Sequence, residues 1–193
     1  MKTSASFQDW IAPNGLTQLL GATGTGKTTI MGALGREWKG EGWYLSPETM
    51  RDAAPDPHKG SSLELLLQTV LSLSLEENSL LLLDDLMGFY VDPQEILHRS
   101  KLLHKLFTVL GRASCTTVVS FQTKDPESTY PNMGIPKSAA FYSSAILDLV
   151  ELVQTEDGGV VVEVFARKSK RYPTGTQGRL WVRPAHDTPV CAT

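Results

Sequence analysis

The stretch with the clearest chemical potential is a glycine-rich segment, Gly21–Thr28, with the sequence GATGTGKT. It fits the pattern G-x-x-x-x-G-K-[ST], in which glycines let backbone N–H groups turn inward around a chain of phosphates. In this pattern Lys27 supplies positive charge to the β- and γ-phosphates, and Thr28 offers a hydroxyl ligand to Mg²⁺. The predicted phosphate-binding residues are Gly21, Ala22, Thr23, Gly24, Thr25, Gly26, Lys27, Thr28 and Thr29.

A phosphate-binding loop needs a strand before it and a helix after it, and the flanking residues meet both needs. Leu16–Leu20 is a short apolar run, and Thr29–Leu34 begins a helical pattern that we expect to end near Trp38. The new helix would point its positive end at the bound anion. The alternative is a chance glycine-rich turn, and the flanking strand and helix argue against it.

A run of four leucines that ends in Asp84 and Asp85 is the second informative stretch. Four consecutive leucines suit a strand buried on both faces, as in a parallel sheet covered by helices. Asp84 would lie at the carboxyl end of that strand, where open α/β sheets bind ligands, and would hold Mg²⁺ together with Thr28. Two roles stay open for Asp85, which either orients water or caps the following turn.

The other elements alternate between strands and helices before the chain turns to consecutive strands, which predicts one α/β domain over residues 1–193. Ser61 and Asp92 are candidate helix caps, and Glu156–Gly159 is a hairpin signal. We therefore expect a mostly parallel central sheet flanked by helices, with an antiparallel hairpin near the C-terminus. The expected strands are residues 43–46, 79–83, 116–121, 146–153, 160–165 and 179–183, and the expected helices are 61–75, 92 onward and 138–144.

Composition narrows the class of protein. With 193 residues, 41% of them hydrophobic, the chain can bury one good core, and its net charge of −3 gives no overall attraction to nucleic acid. The two cysteines, Cys115 and Cys191, make no disulfide framework, which favours a reducing cytoplasm. No signal peptide and no bilayer-spanning run is evident, so we expect no membrane association.

Two features suggest contact with nucleic acid. Residues 123–137 contain three prolines and a glycine without periodicity, and loops of this length inside a compact domain are usually functional. Within them Lys124, Tyr130 and Lys137 offer charge and a stacking surface, a set suited to a single strand. The helix beginning near residue 92 also carries basic residues, but such a set is typical of the solvated side of a helix.

These motifs together resemble the ATPase core of the RecA-like superfamily over about residues 12–183. Glu48, which follows the expected strand at 43–46, resembles the strand-end glutamate that activates the attacking water. Gln122 is placed like the glutamine that senses the γ-phosphate, at the root of what resembles a DNA-binding loop.

The C-terminal third adds two further points of resemblance. Residues 140–148 resemble a stretch of bacterial RecA recombinases, and Pro173–Gly175 continues as in DnaB-type replicative helicases. Lys168-Ser-Lys170 matches the Lys-x-Lys pair that reaches into the ATP of a neighbouring subunit. The resemblance therefore implies ATP and Mg²⁺ as ligands, and a hexameric ring or a filament in which Lys168 and Lys170 act in trans.

The resemblance leaves three functions open. The first is an ATP-dependent protein that binds single-stranded nucleic acid, most readily DNA, in recombination or annealing. The second is a hexameric helicase or viral genome-packaging motor, and the third is a regulatory ATPase that binds no nucleic acid. Bare cores of this kind are often encoded by phages and plasmids, which implies the cytoplasm of a bacterium or of a phage-infected host. The acidic net charge argues against extensive phosphate contact.

Overall fold

The computed structural model describes residues 2–3, 7–51, 62–89, 96–123, 137–154 and 160–182. Within these ranges the strands are β1 (Lys2–Thr3), β2 (Leu16–Gly21), β3 (Gly42–Leu45), β4 (Leu80–Leu83), β5 (Thr116–Gln122), β6 (Ala145–Gln154), β7 (Val160–Lys168) and β8 (Gln177–Val182). The helices are α1 (Lys27–Glu37), α2 (Leu63–Ser72), α3 (Ile96–Arg112) and α4 (Lys137–Tyr142), with short 3₁₀ helices at Phe7–Asp9 and Leu86–Gly88. None of these helices has the length and apolar character that crossing a membrane requires.

The described strands form one sheet in the order β1-β8-β7-β6-β2-β5-β4-β3. Its central part, β6-β2-β5-β4-β3, is parallel, with Gly21 opposite Gln122 and Leu45 opposite Leu83. Because parallel strands end at the same side of a sheet, the residues after β2, β3, β4 and β5 meet along one border. We call this border the carboxyl edge and the opposite border the amino edge.

The C-terminal strands are antiparallel, as the sequence predicts. β7 runs against both β6 and β8, with Leu147 opposite Ala166 and Glu163 opposite Arg179. Because β7 runs opposite to the parallel strands, its last residue, Lys168, lies opposite Ile146 near the start of β6. The basic residues that follow β7 are therefore at the amino edge. The predicted α/β fold class is confirmed, with a mostly parallel sheet and a C-terminal antiparallel hairpin.

The sheet has a hydrophobic layer on each face, and the leucines of β4 contribute to both. Side chains alternate between the faces of a strand, and all four leucines are buried. Leu81 and Leu83 pack in the layer that includes residues of α2 and α3. Leu80 and Leu82 pack in the layer that includes residues of α1 and the C-terminal strands. This explains why an uninterrupted leucine run, rather than an alternating pattern, encodes this strand.

The hydrophobic core begins earlier in the chain than residue 12, where the sequence resemblance starts. Phe7, Trp10 and Ile11 are buried and pack in the same layer as α1. The ring of Trp10 lies 4.8 Å, centroid to centroid, from that of Tyr172 in the turn after β7. The N-terminal segment therefore joins two distant parts of the chain, which no local pattern in the sequence signals.

The helix boundaries follow local capping and long-range contacts. Ser62 caps α2, and its hydroxyl accepts a hydrogen bond from the Leu65 N–H at 3.1 Å. The predicted caps Ser61 and Asp92 both lie outside the described residues. α1 ends at Glu37, one residue earlier than expected, because Trp38 is extended and its indole N–H donates to the Asn78 carbonyl at 2.9 Å.

Candidate nucleotide site

The phosphate-binding loop has the backbone that its glycines permit. Gly24 and Gly26 have φ angles of 82° and 83°, in the left-handed region that favours glycine. Gly26 is the N-cap of α1, and it has no side chain to accept a hydrogen bond from the first turn. The first N–H groups of the helix are therefore not capped by a side chain at this position. A Cβ atom on Gly21 would lie 2.4 Å from Thr25 Oγ1 and 2.9 Å from the Leu149 carbonyl oxygen, so that position has no room for a side chain.

Lys27 lies inside this loop and bonds to its backbone. Its Nζ donates to the carbonyl oxygens of Gly21 at 2.9 Å and Ala22 at 2.7 Å. Burial lowers the pKa of the Lys27 ammonium from its ordinary value, and the carboxylates of Asp84 and Asp85 oppose that shift. A half-buried cation between a carbonyl-lined loop and two acids is well placed to exchange these contacts for a phosphate oxygen.

The predicted metal pair, Thr28 and Asp84, is in direct contact. Thr28 Oγ1 donates to Asp84 Oδ2 at 2.7 Å, although the two residues are 56 positions apart in the chain. Asp84 is only 5% exposed, and its other oxygen, Oδ1, accepts from the Ser120 hydroxyl at 2.5 Å and the Asp85 N–H at 3.0 Å. A hydroxyl beside a fixed carboxylate is a donor set that suits Mg²⁺, which prefers oxygen ligands.

Asp85 and Glu48 approach the same region from neighbouring strands. Asp85 has a φ of 47°, and its N–H also donates to Ser120 Oγ at 2.8 Å. Burial, and next the Asp84 carboxylate, raise the pKa of Asp85 above its ordinary value, and Glu48 adds to this shift. Glu48 is exposed in the turn after β3, which is held by hydrogen bonds between Ser46 and Thr49. Glu48 is therefore within electrostatic range of Asp85.

Gln122 connects the end of β5 to the phosphate-binding loop. Its Nε2 donates to Thr23 Oγ1 at 2.5 Å, and the next residue, Thr123, donates its N–H to the Gly21 carbonyl at 3.0 Å. A cavity of about 320 Å³ lies over these groups. Its lining consists of Thr23, Gly24, Gly26, Lys27, Thr28, Thr29, Asp84, Asp85, Ser120 and Gln122.

A larger cavity, of about 690 Å³, lies beside β6, β7 and β8 and includes the Asp148–Arg167 ion pair. It meets the phosphate-binding loop only at Gly21 and Ala22. Its lining lacks Lys27 and Thr28, which carry the charge and the metal ligand that a triphosphate needs. The smaller cavity is therefore the candidate phosphate site.

The structure does not bring Lys168 and Lys170 to this cavity, because they lie at the amino edge. Lys168 Nζ donates to the Ala140 carbonyl at 2.8 Å, and burial, and then Lys170, lower the pKa of its ammonium. Arg171 donates from Nη1 to the carbonyls of Gln8 and Asp9 at 3.2 and 3.4 Å. Lys170 lines a cavity of about 260 Å³ between residues 11–14 and residues 169–171.

The three predicted nucleic-acid contacts are not placed by the structure. Lys124 and Tyr130 lie outside the described residues, and Lys137 is the first residue of α4, its side chain outside the description. On α3, His98 lies 3.0 Å from Glu64, and Arg99 donates to the Met87 carbonyl at 3.3 Å. Part of the basic set on that helix is therefore engaged within the protein.

Sequence reasoning missed two residues of the site. Ser120 and Tyr44 both hydrogen-bond to Asp84, from β5 and β3 respectively. A signal for Ser120 was available, since it is a polar residue near the carboxyl end of an otherwise apolar strand. For Tyr44 there was none, because aromatic residues are common in strands for packing reasons.

These features define a class of protein: an α/β protein of RecA-like fold with a glycine-rich G-x-x-x-x-G-K-T loop at the carboxyl edge of its sheet. A crystal structure of the RadB recombinase is similar to this chain, with a TM-score of 0.59 and 16% sequence identity over 88% of this chain and 87% of that chain. No protein-family model matches the sequence. No curated protein matches it either. The similarity to RadB recombinase is one of fold.

Proposed function

We propose that this chain is an ATP-hydrolysing, nucleic-acid-binding RecA-like motor core that acts on single-stranded DNA in recombination or annealing. The observation that carries the proposal is the contact between Thr28 and Asp84 at 2.7 Å, beside Lys27 and on the same edge as Gln122. The structurally similar protein is named a recombinase, and this favours a function in recombination over one as a helicase.

The proposal gives the predicted site residues the following roles in hydrolysis. The loop N–H groups and Lys27 would bind the phosphates, and Thr28 and Asp84 would hold Mg²⁺, which would supply charge neutralisation to the phosphate oxygens. Glu48 orients the attacking water and accepts its proton. Gln122, whose amide donates to Thr23 in the loop, would contact the γ-phosphate.

The position of Lys170 supports donation of cations between subunits. Lys170 lies against residues 11–14, before β2 begins, whereas the phosphate-binding loop follows the end of β2 at Gly21. The five steps of β2 from Leu16 to Gly21 span roughly 17 Å, too far for a lysine to reach the phosphates of its own subunit. Head-to-tail assembly would bring the amino edge of one copy to the carboxyl edge of the next, as a ring or a filament.

The described residues at the two ends of the segment proposed to bind DNA lie near these two edges. Its N-terminal end is fixed by the hydrogen bond from Thr123 to Gly21 in the phosphate-binding loop. Its C-terminal end leads into α4, whose Ala140 carbonyl accepts from Lys168. A single strand bound by Lys124, Tyr130 and Lys137 would therefore act on the nucleotide loop at one end and on the donated cations at the other.

The test is the ATPase rate of the purified protein with and without single-stranded DNA. We expect a several-fold increase on DNA addition, and a loss of about 100-fold or more in Lys27→Ala. Double-stranded DNA and a random-coil polyanion are the controls for non-specific charge effects. Hydrolysis that single-stranded DNA does not change would contradict the nucleic-acid part of the proposal and favour a regulatory ATPase.

A further inference from the structure

The metal-binding carboxylate, Asp84, has no vacant acceptor position among its described contacts. Oδ1 accepts from the Ser120 hydroxyl and the Asp85 N–H, and Oδ2 accepts from the hydroxyls of Thr28 and Tyr44, each at 2.7 Å. A carboxylate offers about four lone-pair sites, and these four donors fill them. Mg²⁺, or a water molecule bound to it, therefore needs one of the four donors to leave.

The four donors differ in how readily each can leave Asp84. Ser120 and the Asp85 N–H donate to Oδ1, which we call the inner oxygen. The Asp85 N–H also donates to Ser120 Oγ at 2.8 Å, so these two groups support each other. Thr28 can stay, because its oxygen coordinates a metal through a lone pair while its hydrogen remains on Asp84. Tyr44 is the remaining donor, on a half-buried side chain of the neighbouring strand.

We propose that the Tyr44 hydroxyl is a placeholder, which occupies on Asp84 Oδ2 the position that Mg²⁺ or its bound water takes in the nucleotide-loaded protein. This inference rests on the proposed nucleotide site. The backbone of β3 need not move, because the Asp84 N–H donates to the Leu45 carbonyl at 2.8 Å independently of the phenol. Only the tyrosine side chain changes partner.

A hydrogen bond that Mg²⁺ binding breaks lowers the affinity for Mg²⁺, because a ligand is opposed by any contact that its binding breaks. The same hydrogen bond, from Tyr44 to Asp84, stabilises the protein without bound metal.

The test is the isosteric substitution Tyr44→Phe, which removes the hydroxyl and keeps the ring. We expect two opposite effects: the thermal midpoint of the protein in chelator falls, and the affinity for Mg²⁺ at saturating non-hydrolysable ATP analogue rises about tenfold by calorimetric titration. If the Tyr44 hydroxyl only stabilised the fold, its removal would lower both the thermal midpoint and the affinity for Mg²⁺. Ser120→Ala is the matched control, because it removes a donor to the inner oxygen and is expected not to raise Mg²⁺ affinity.

The outcomes separate this inference from the proposed function. Unchanged or weakened Mg²⁺ affinity in folded Tyr44→Phe would overturn the placeholder and leave the nucleotide site intact. Failure of the wild-type protein to bind Mg²⁺ with the ATP analogue would overturn the site itself. In the wild-type protein, a tyrosine absorbance change on Mg²⁺ addition that Tyr44→Phe lacks is also expected, and its absence would count against the placeholder.

Discussion

An equimolar mixture of Lys27→Ala and Lys170→Ala subunits is expected to recover ATPase activity that neither variant has alone. Each variant by itself should lose about 100-fold or more in kcat, because each lacks one of the cations that we propose to stabilise charge on the γ-phosphoryl group. In a random head-to-tail mixture, about a quarter of the sites combine an intact loop with an intact donor. The measurement is the hydrolysis rate per subunit, after co-assembly has been verified by gel filtration.

The complementation follows from the positions of the two lysines. Lys27 is within the phosphate-binding loop, and Lys170 is at the opposite edge of the sheet. A Lys27→Ala subunit can therefore still donate Lys170, and a Lys170→Ala subunit can still bind nucleotide. Lys39→Ala, which removes an exposed lysine that lines neither the nucleotide cavity nor the cavity at Lys170, is the control and is expected to keep wild-type activity. A co-assembled mixture that stays as inactive as its components would contradict donation in trans.

Trp10→Ala is expected to reduce the free energy of unfolding by about 3–5 kcal/mol, a large part of the stability of an ordinary domain. Trp10 is only 1% exposed and packs both in the hydrophobic layer with α1 and against the ring of Tyr172. Its loss would leave a cavity and would also remove the support of the turn that carries Lys170. Denaturant unfolding monitored by circular dichroism measures the change.

Trp10→Phe is the matched control for this prediction. The indole N–H of Trp10 is buried without a hydrogen-bond partner in the described part of the chain, so phenylalanine gives up no polar contact there. We expect it to cost clearly less than Trp10→Ala, because phenylalanine keeps an aromatic ring in the layer and leaves a smaller cavity. A loss below about 1 kcal/mol in Trp10→Ala would show that the N-terminal segment is not part of the core.

Local patterns predicted the central fold because each pattern agreed with the elements beside it. The short leucine run between turn residues suits a strand in a covered sheet, and the glycines of the loop permit the positive φ angles that Gly24 and Gly26 adopt. Strand order along the carboxyl edge then placed Thr28, Asp84 and Gln122 together. The sequence was sufficient to predict a site residue wherever one local motif indicated both its chemical role and its secondary structure.

Contacts between distant residues account for what the sequence did not predict. Trp10 reads as part of a lead-in, but its burial depends on Tyr172, 162 positions later in the chain. Tyr44 reads as a strand aromatic, but its hydroxyl reaches Asp84 from an adjacent strand. Neither contact produces a periodic pattern in the sequence. Each depends on how two separate elements pack together, and not on the residue pattern within one helix or strand.

Binding of Mg²⁺ and ATP by the loop at Gly21–Thr28 is the central claim about this protein. Equilibrium titration of the wild-type protein and Lys27→Ala with a fluorescent ATP analogue, with and without Mg²⁺, measures this. We predict saturable binding by the wild type that Mg²⁺ strengthens, and a loss of that binding in folded Lys27→Ala. Equal affinity in the two proteins, or no saturable binding by the wild type, would contradict the account.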